Sequence, residues 1–151
     1  MVEVVGGNGG CMRIWRALRA TALGLLVTGF LGCAAGCADG GDRHAAVADA
    51  ALRLLTAVRD GAGGAACAVL APETAAEVAQ TAGKGCADAI LEEDLPTPAA
   101  VTRVDVYGQW GRVVLANDTM FLAVFPGGWR VVAAGCHSQG QRPYDCTVHG
   151  G

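Results

Sequence analysis

The sequence predicts an α+β domain in which N-terminal helices pack on a C-terminal antiparallel meander sheet. Three observations predict it. Apolar residues recur at helical spacing from Val47 onward. Pro96 and Pro98 then close the helical half. Beyond them the pattern turns to alternation and to short apolar runs separated by Asn- and Gly-containing turns.

The first helix is expected to start at Gly41 or Asp42 and to run through "HAAVADAALRLLTAVRDG". Val47, Ala51, Leu54, Leu55 and Val58 make one apolar stripe along it, and Gly61 is its stop signal. "AACAVLAPE" reads as a short second helix broken by Pro72. Pro is favoured in the first turn of a helix, so "PETAAEVAQTAG" reads as a third, ending at Gly83. "KGCADAILEEDLP" reads as a fourth, with Cys86 and Ile90 one turn apart and the acidic run Glu92 to Asp94 at its end.

In "VTRVDVYGQW", Val104 and Val106 are expected on one face, with Arg103, Asp105 and Tyr107 on the other. "RVVLA" is the next strand and "NDT" a turn. "MFLAVF" and "WRVVAAGC" follow, joined by "PGG". Both of these strands are apolar on both faces and need cover on both. Helices can cover one face. The other must meet the curl of the sheet, a small cavity or a partner. Met120, Phe121, Leu122, Val124 and Phe125 are the expected lining of such a cavity.

The N-terminal quarter has a different character. From Met12, three arginines (Arg13, Arg16, Arg19) precede an apolar, uncharged run that ends in "LGCAAGC". This is the layout of an export signal. The preceding "MVEVVGGNGGC" holds Glu3 and no basic residue, so residues 1–11 are expected to be a mis-assigned start or to leave with the signal. Small residues followed by cysteine resemble a bacterial lipobox, which implies diacylglycerol on the cysteine sulfur and cleavage just before it. Cys37 follows three small residues and is the preferred site; Cys33 is the alternative. The expected organisation is a signal over 1–36, a flexible tether over 37–44 and one domain over 45–151. An uncleaved membrane helix from Ala20 to Ala38 is the competing reading, weakened by four glycines in the run. Under both readings the arginines stay in the cytoplasm and the domain lies outside.

From Cys37 onward there are eight Lys and Arg against thirteen Asp and Glu, a balance of five negative charges. That excludes the electrostatic footprint of a nucleic-acid binder. Any membrane attachment must come from the N-terminus. Outside the cytoplasm thiols pair. Of three possible pairings of the remaining cysteines, Cys67–Cys86 and Cys136–Cys146 join neighbours in sequence and are the ones expected. Cys136, His137, Cys146 and His149 have zinc-binding atoms but no finger spacing, so no metal or other cofactor is expected.

The segments "AVRDG", "CAVLAPETAAEV", "CADAILEEDLP", "VFPGGWRVVAAGC" and "PYDCTV" resemble a set of small predicted lipoproteins of high-GC Gram-positive bacteria. The resemblance runs from about Ala45 to the end. It implies a curved sheet of the cystatin-like cone type, the fold of nuclear transport factor 2, and it carries over no catalytic residue. The expected role is non-catalytic binding of a partner protein or a small apolar ligand at the cell surface. The alternative is a cone-fold enzyme, isomerase-like or hydrolase-like, using Asp105 in a concave pocket as ketosteroid isomerases use an acid and a tyrosine. No nucleophile elbow, phosphate loop or zinc-protease motif is present.

Overall fold

Helix α1 spans Asp39–Arg59 in the computed structural model, which describes residues 39–150. It starts earlier than Gly41, so residues 39–44, expected as part of a flexible tether, are helical. The signal segment, Cys33 and Cys37 lie outside the described residues. Val47, Ala50, Ala51, Leu54 and Leu55 are all buried, as the apolar stripe requires. The helix ends on Gly61 at φ 69°. Gly61 N–H donates to Val58 O and Ala62 N–H to Ala57 O, the paired bonds of a Schellman stop.

Three short helices follow: α2 (Gly63–Val69), α3 (Pro72–Ala82) and α4 (Cys86–Ala89). Pro72 opens α3, and Gly83 closes it in the left-handed region at φ 65°. Helix α4 is a single turn. The expected continuation to Asp94 does not form, because three successive acids at a helix C-terminus repel one another and oppose its dipole. Glu92 instead pairs with Lys84. A disulfide between Cys67 and Cys86 joins α2 to α4, with Cα atoms 6.2 Å apart. The two helices meet closely enough that a Cβ on Gly63 would lie 1.8 Å from Ala87 O.

The sheet has five strands: β1 (Val101–Tyr107), β2 (Trp110–Leu115), β3 (Thr119–Phe125), β4 (Gly128–Gln139) and β5 (Arg142–His149). All neighbours are antiparallel, in the order β1-β2-β3-β4-β5. The α+β expectation holds at this level. Two boundaries differ. Gly108, at φ 59°, makes a two-residue turn that assigns Trp110 to β2 rather than to the end of β1. The polar stretch "CHSQGQRPYDC", to which the sequence reading assigned no strand beyond Cys136, is a hairpin turning at Gly140, with Cys136 opposite Cys146. These two cysteines form the second disulfide.

The helices cover one face of the sheet. Val113, Met120, Leu122, Val131 and Val148 are buried there against the α1 stripe, Leu70 and Ile90. Val104 and Val106 pack on the same core as half-buried residues. At Gly111, a Cβ would approach Val47 to 2.8 Å, so the glycine lets α1 settle onto β2. Strand β4 outruns β5, and the α2–α3 corner completes its edge: Leu70 bridges Val131, and Ala71 N–H donates to Val131 O at 2.8 Å.

Candidate functional site

The other face of the sheet collects the residues that alternate away from the core. The register places Tyr107, Trp110 and Ala123 in one row, with Asp105, Arg112 and Phe121 in the next. Tyr107 is 67% exposed and Trp110 59%. Tyr144 of β5 meets Phe121 edge-on, ring centroids 5.0 Å apart.

Asp105 shares this face with Tyr107, as the alternation predicted. Its carboxylate accepts Arg103 Nε at 2.9 and 3.0 Å and Arg112 Nη2 at 2.7 Å. The side chain is 12% exposed because the two guanidinium groups cover it. Hydrogen bonds from Arg112 first and Arg103 second hold the carboxyl below its ordinary range. An acid held so firmly in its charged form is a poor proton shuttle near neutral pH. It lines neither of the two cavities described next.

A cleft of about 310 Å³ lies where this face meets the start of α3. Trp110, Ala123, Val124, Phe125 and Val132 give it apolar walls; Glu73 and Gln109 give it polar groups. Thr74 also borders it, but its hydroxyl is committed to Val132 O at 3.0 Å. Val124 is 40% exposed. Of the five residues expected to line a cavity, Val124 and Phe125 do so here. Met120 and Leu122 do not border it: their turn in the β3 alternation points them under the helices, into the core. Phe121 packs on Tyr144 and does not border the cleft.

A second groove, of about 650 Å³, runs between α1, α2 and the β3–β4 turn over Leu52, Val69 and Trp129. Its charged rim is spent internally. Arg53 pairs with Asp49 at 3.2 Å, Asp60 with Arg59 at 2.7 Å, and Arg130 with Ala68 O. Arg43 lies over Trp129, 5.7 Å from the ring centroid. In the smaller cleft, by contrast, the side chains of Glu73 and Gln109 make no hydrogen bond or ion pair among the described residues.

The tail cluster weighed as a zinc site has spent Cys136 and Cys146 on their disulfide. The expected disulfide pairings are both present. Glu73, Gln109 and Trp110 were not singled out by sequence reasoning. Glu73 lay unremarked within the third helix, and Trp110 stood at the end of a longer first strand. Gly108 was the signal that could have moved Trp110 to the next strand and onto this face. No protein-family model, curated protein or solved structure matches the chain.

Proposed function

We propose that this chain is an exported, lipid-anchored, non-catalytic binding domain. Cys37, or alternatively Cys33, carries the diacylglyceryl group, and the sheet is a curved one of the cystatin-like type. The domain works at the outer face of the cytoplasmic membrane, receiving a partner protein or a small ligand on the uncovered sheet face. One observation carries the binding reading: two aromatic side chains, Tyr107 and Trp110, stand mostly exposed beside an open cleft. Large aromatics left uncovered in a small domain mark a surface that something else covers. Two disulfides in a domain of this size support an oxidising compartment. The paired state of Asp105 favours binding over acid–base catalysis.

Two measurements test this. Intact mass of protein taken from the native membrane is expected to show an acylated N-terminal cysteine and two disulfides. Cytosolic protein with an uncut leader and free thiols would overturn the anchor. Hydroxyl-radical footprinting on intact cells is expected to find Trp110 and Tyr107 less oxidised than in the purified protein. Equal oxidation in both would overturn the binding role.

A further inference from the structure

We infer that the cleft beside Trp110 is a saccharide site, and that its ligand is a neutral oligosaccharide. The inference rests on the binding reading above and narrows it to a ligand class.

The cleft makes two demands at once. Trp110 offers an exposed indole, and Tyr107, its cross-strand partner, stands beside it on the same face. Flat aromatic surface of this kind is covered by a ligand with an apolar face. Glu73 and Gln109 stand at the same cleft with unspent hydrogen-bonding capacity. A wholly apolar ligand would desolvate them without replacing their water, at a cost that opposes binding. The ligand therefore has hydroxyl or amide groups around its edge and apolar faces above and below. A carboxylate accepts from hydroxyls in strong charge-assisted bonds, and a primary amide both donates and accepts. A pyranose ring meets both demands, with C–H groups on its faces and hydroxyls on its rim.

Charge and size narrow the class further. Glu73 has no neutralising partner among the described residues, and the chain from Cys37 on carries the five-charge negative excess. Both oppose a uronic or phosphorylated sugar. The row Tyr107–Trp110–Ala123 crosses three strands, which at sheet spacing is about 10 Å. Ala123, the small residue of the row, leaves the trough between Trp110 and Phe125 open. A footprint of that length takes more than one ring.

The test uses the full-length chain, purified in a detergent without a sugar headgroup. It is titrated with cellotriose, chitotriose and mannotriose while tryptophan fluorescence and saturation-transfer NMR are followed. At least one trisaccharide is expected to bind saturably, in the micromolar to millimolar range. W110A and E73A are each expected to weaken that binding at least tenfold, and E73Q less than E73A. Trp110 and Glu73 are both exposed, so the variants are expected to melt at the wild-type temperature. Binding that W110A and E73A leave unchanged would overturn the site. No binding of any of the three up to 10 mM would overturn the ligand class. If Trp110 is still protected on intact cells in that case, the binding reading survives and the saccharide inference alone falls. If it is not protected either, both fall.

Discussion

The carboxylate of Asp118 accepts the backbone N–H of Cys136 at 2.9 Å, and its second oxygen lies 3.3 Å from the N–H of Gly135. This ties the β2–β3 turn to the irregular stretch of β4 where Gly135 adopts φ 67°. Asp118 is buried, and desolvation raises its carboxyl above the ordinary range despite those N–H groups. D118A leaves two buried donors unmet and is expected to cost about 2–3 kcal/mol in urea unfolding.

The same raised carboxyl has a definite pH signature. A group that holds its proton more tightly when folded contributes stability that is complete below its unfolded pKa and lost as pH rises through its folded pKa. Urea midpoints of the wild type are therefore expected to fall relative to D118N as pH rises from about 4 toward neutrality. A wild-type midpoint that rises relative to D118N over that range would contradict this.

Asp105 behaves in the opposite sense. Its carboxyl is lowered by Arg112 and Arg103, so its contribution is complete above the ordinary carboxylate range and fades as pH falls through the lowered value. In an NMR titration of the Asp105 carboxyl carbon, R112A is expected to move the midpoint up, and R103A to move it up by less. The order follows from the 2.7 Å bond of Arg112 Nη2, shorter than either Arg103 contact, and from the two donor nitrogens of Arg112 against the one of Arg103.

The disulfides close segments of 19 and 10 residues. Loop-closure arithmetic gives each about 3 kcal/mol. Replacing each pair by alanine is expected to lower stability by similar amounts but in different places. Loss of Cys67–Cys86 should raise amide exchange across α2 and α4. Loss of Cys136–Cys146 should raise it in β5 and the end of β4 and leave β1 to β3 protected. Exchange mass spectrometry separates the two patterns.

Adjacent glycines in α2 make a sharper comparison. A methyl at Gly63 would overlap Ala87 O, whereas Gly64 has nothing within 4 Å. G63A must push two backbones apart and is expected to cost about 3 kcal/mol or more. G64A is expected to be neutral or to stabilise by about 0.5 kcal/mol, from helix propensity alone. Thermal melts of the two variants decide it.

The helical half was legible because its signals are local. The apolar stripe of α1, Pro72 and the stops at Gly61 and Gly83 each act within one turn of the chain. The fifth strand was not legible. "RPYDCTVH" has little apolar content, and its pairing depends on the hairpin at Gly140 and on Cys136 opposite Cys146. Helix α4 was overestimated because helical spacing at Cys86 and Ile90 says nothing about the acids that stop it. The cleft was half legible. The doubly apolar β3 announced that something lay on its second face. That Glu73 from α3 would meet Trp110 from β2 there is set by the tertiary fold, in which the α2–α3 corner docks on β4.

Each sulfur pairing spans only its own neighbourhood of the chain. A polypeptide emerging N-terminus first can therefore oxidise Cys67 with Cys86 before Cys136 has appeared. Where the first pair closes before the last two thiols arrive, synthesis order alone steers the chain away from scrambled connectivities.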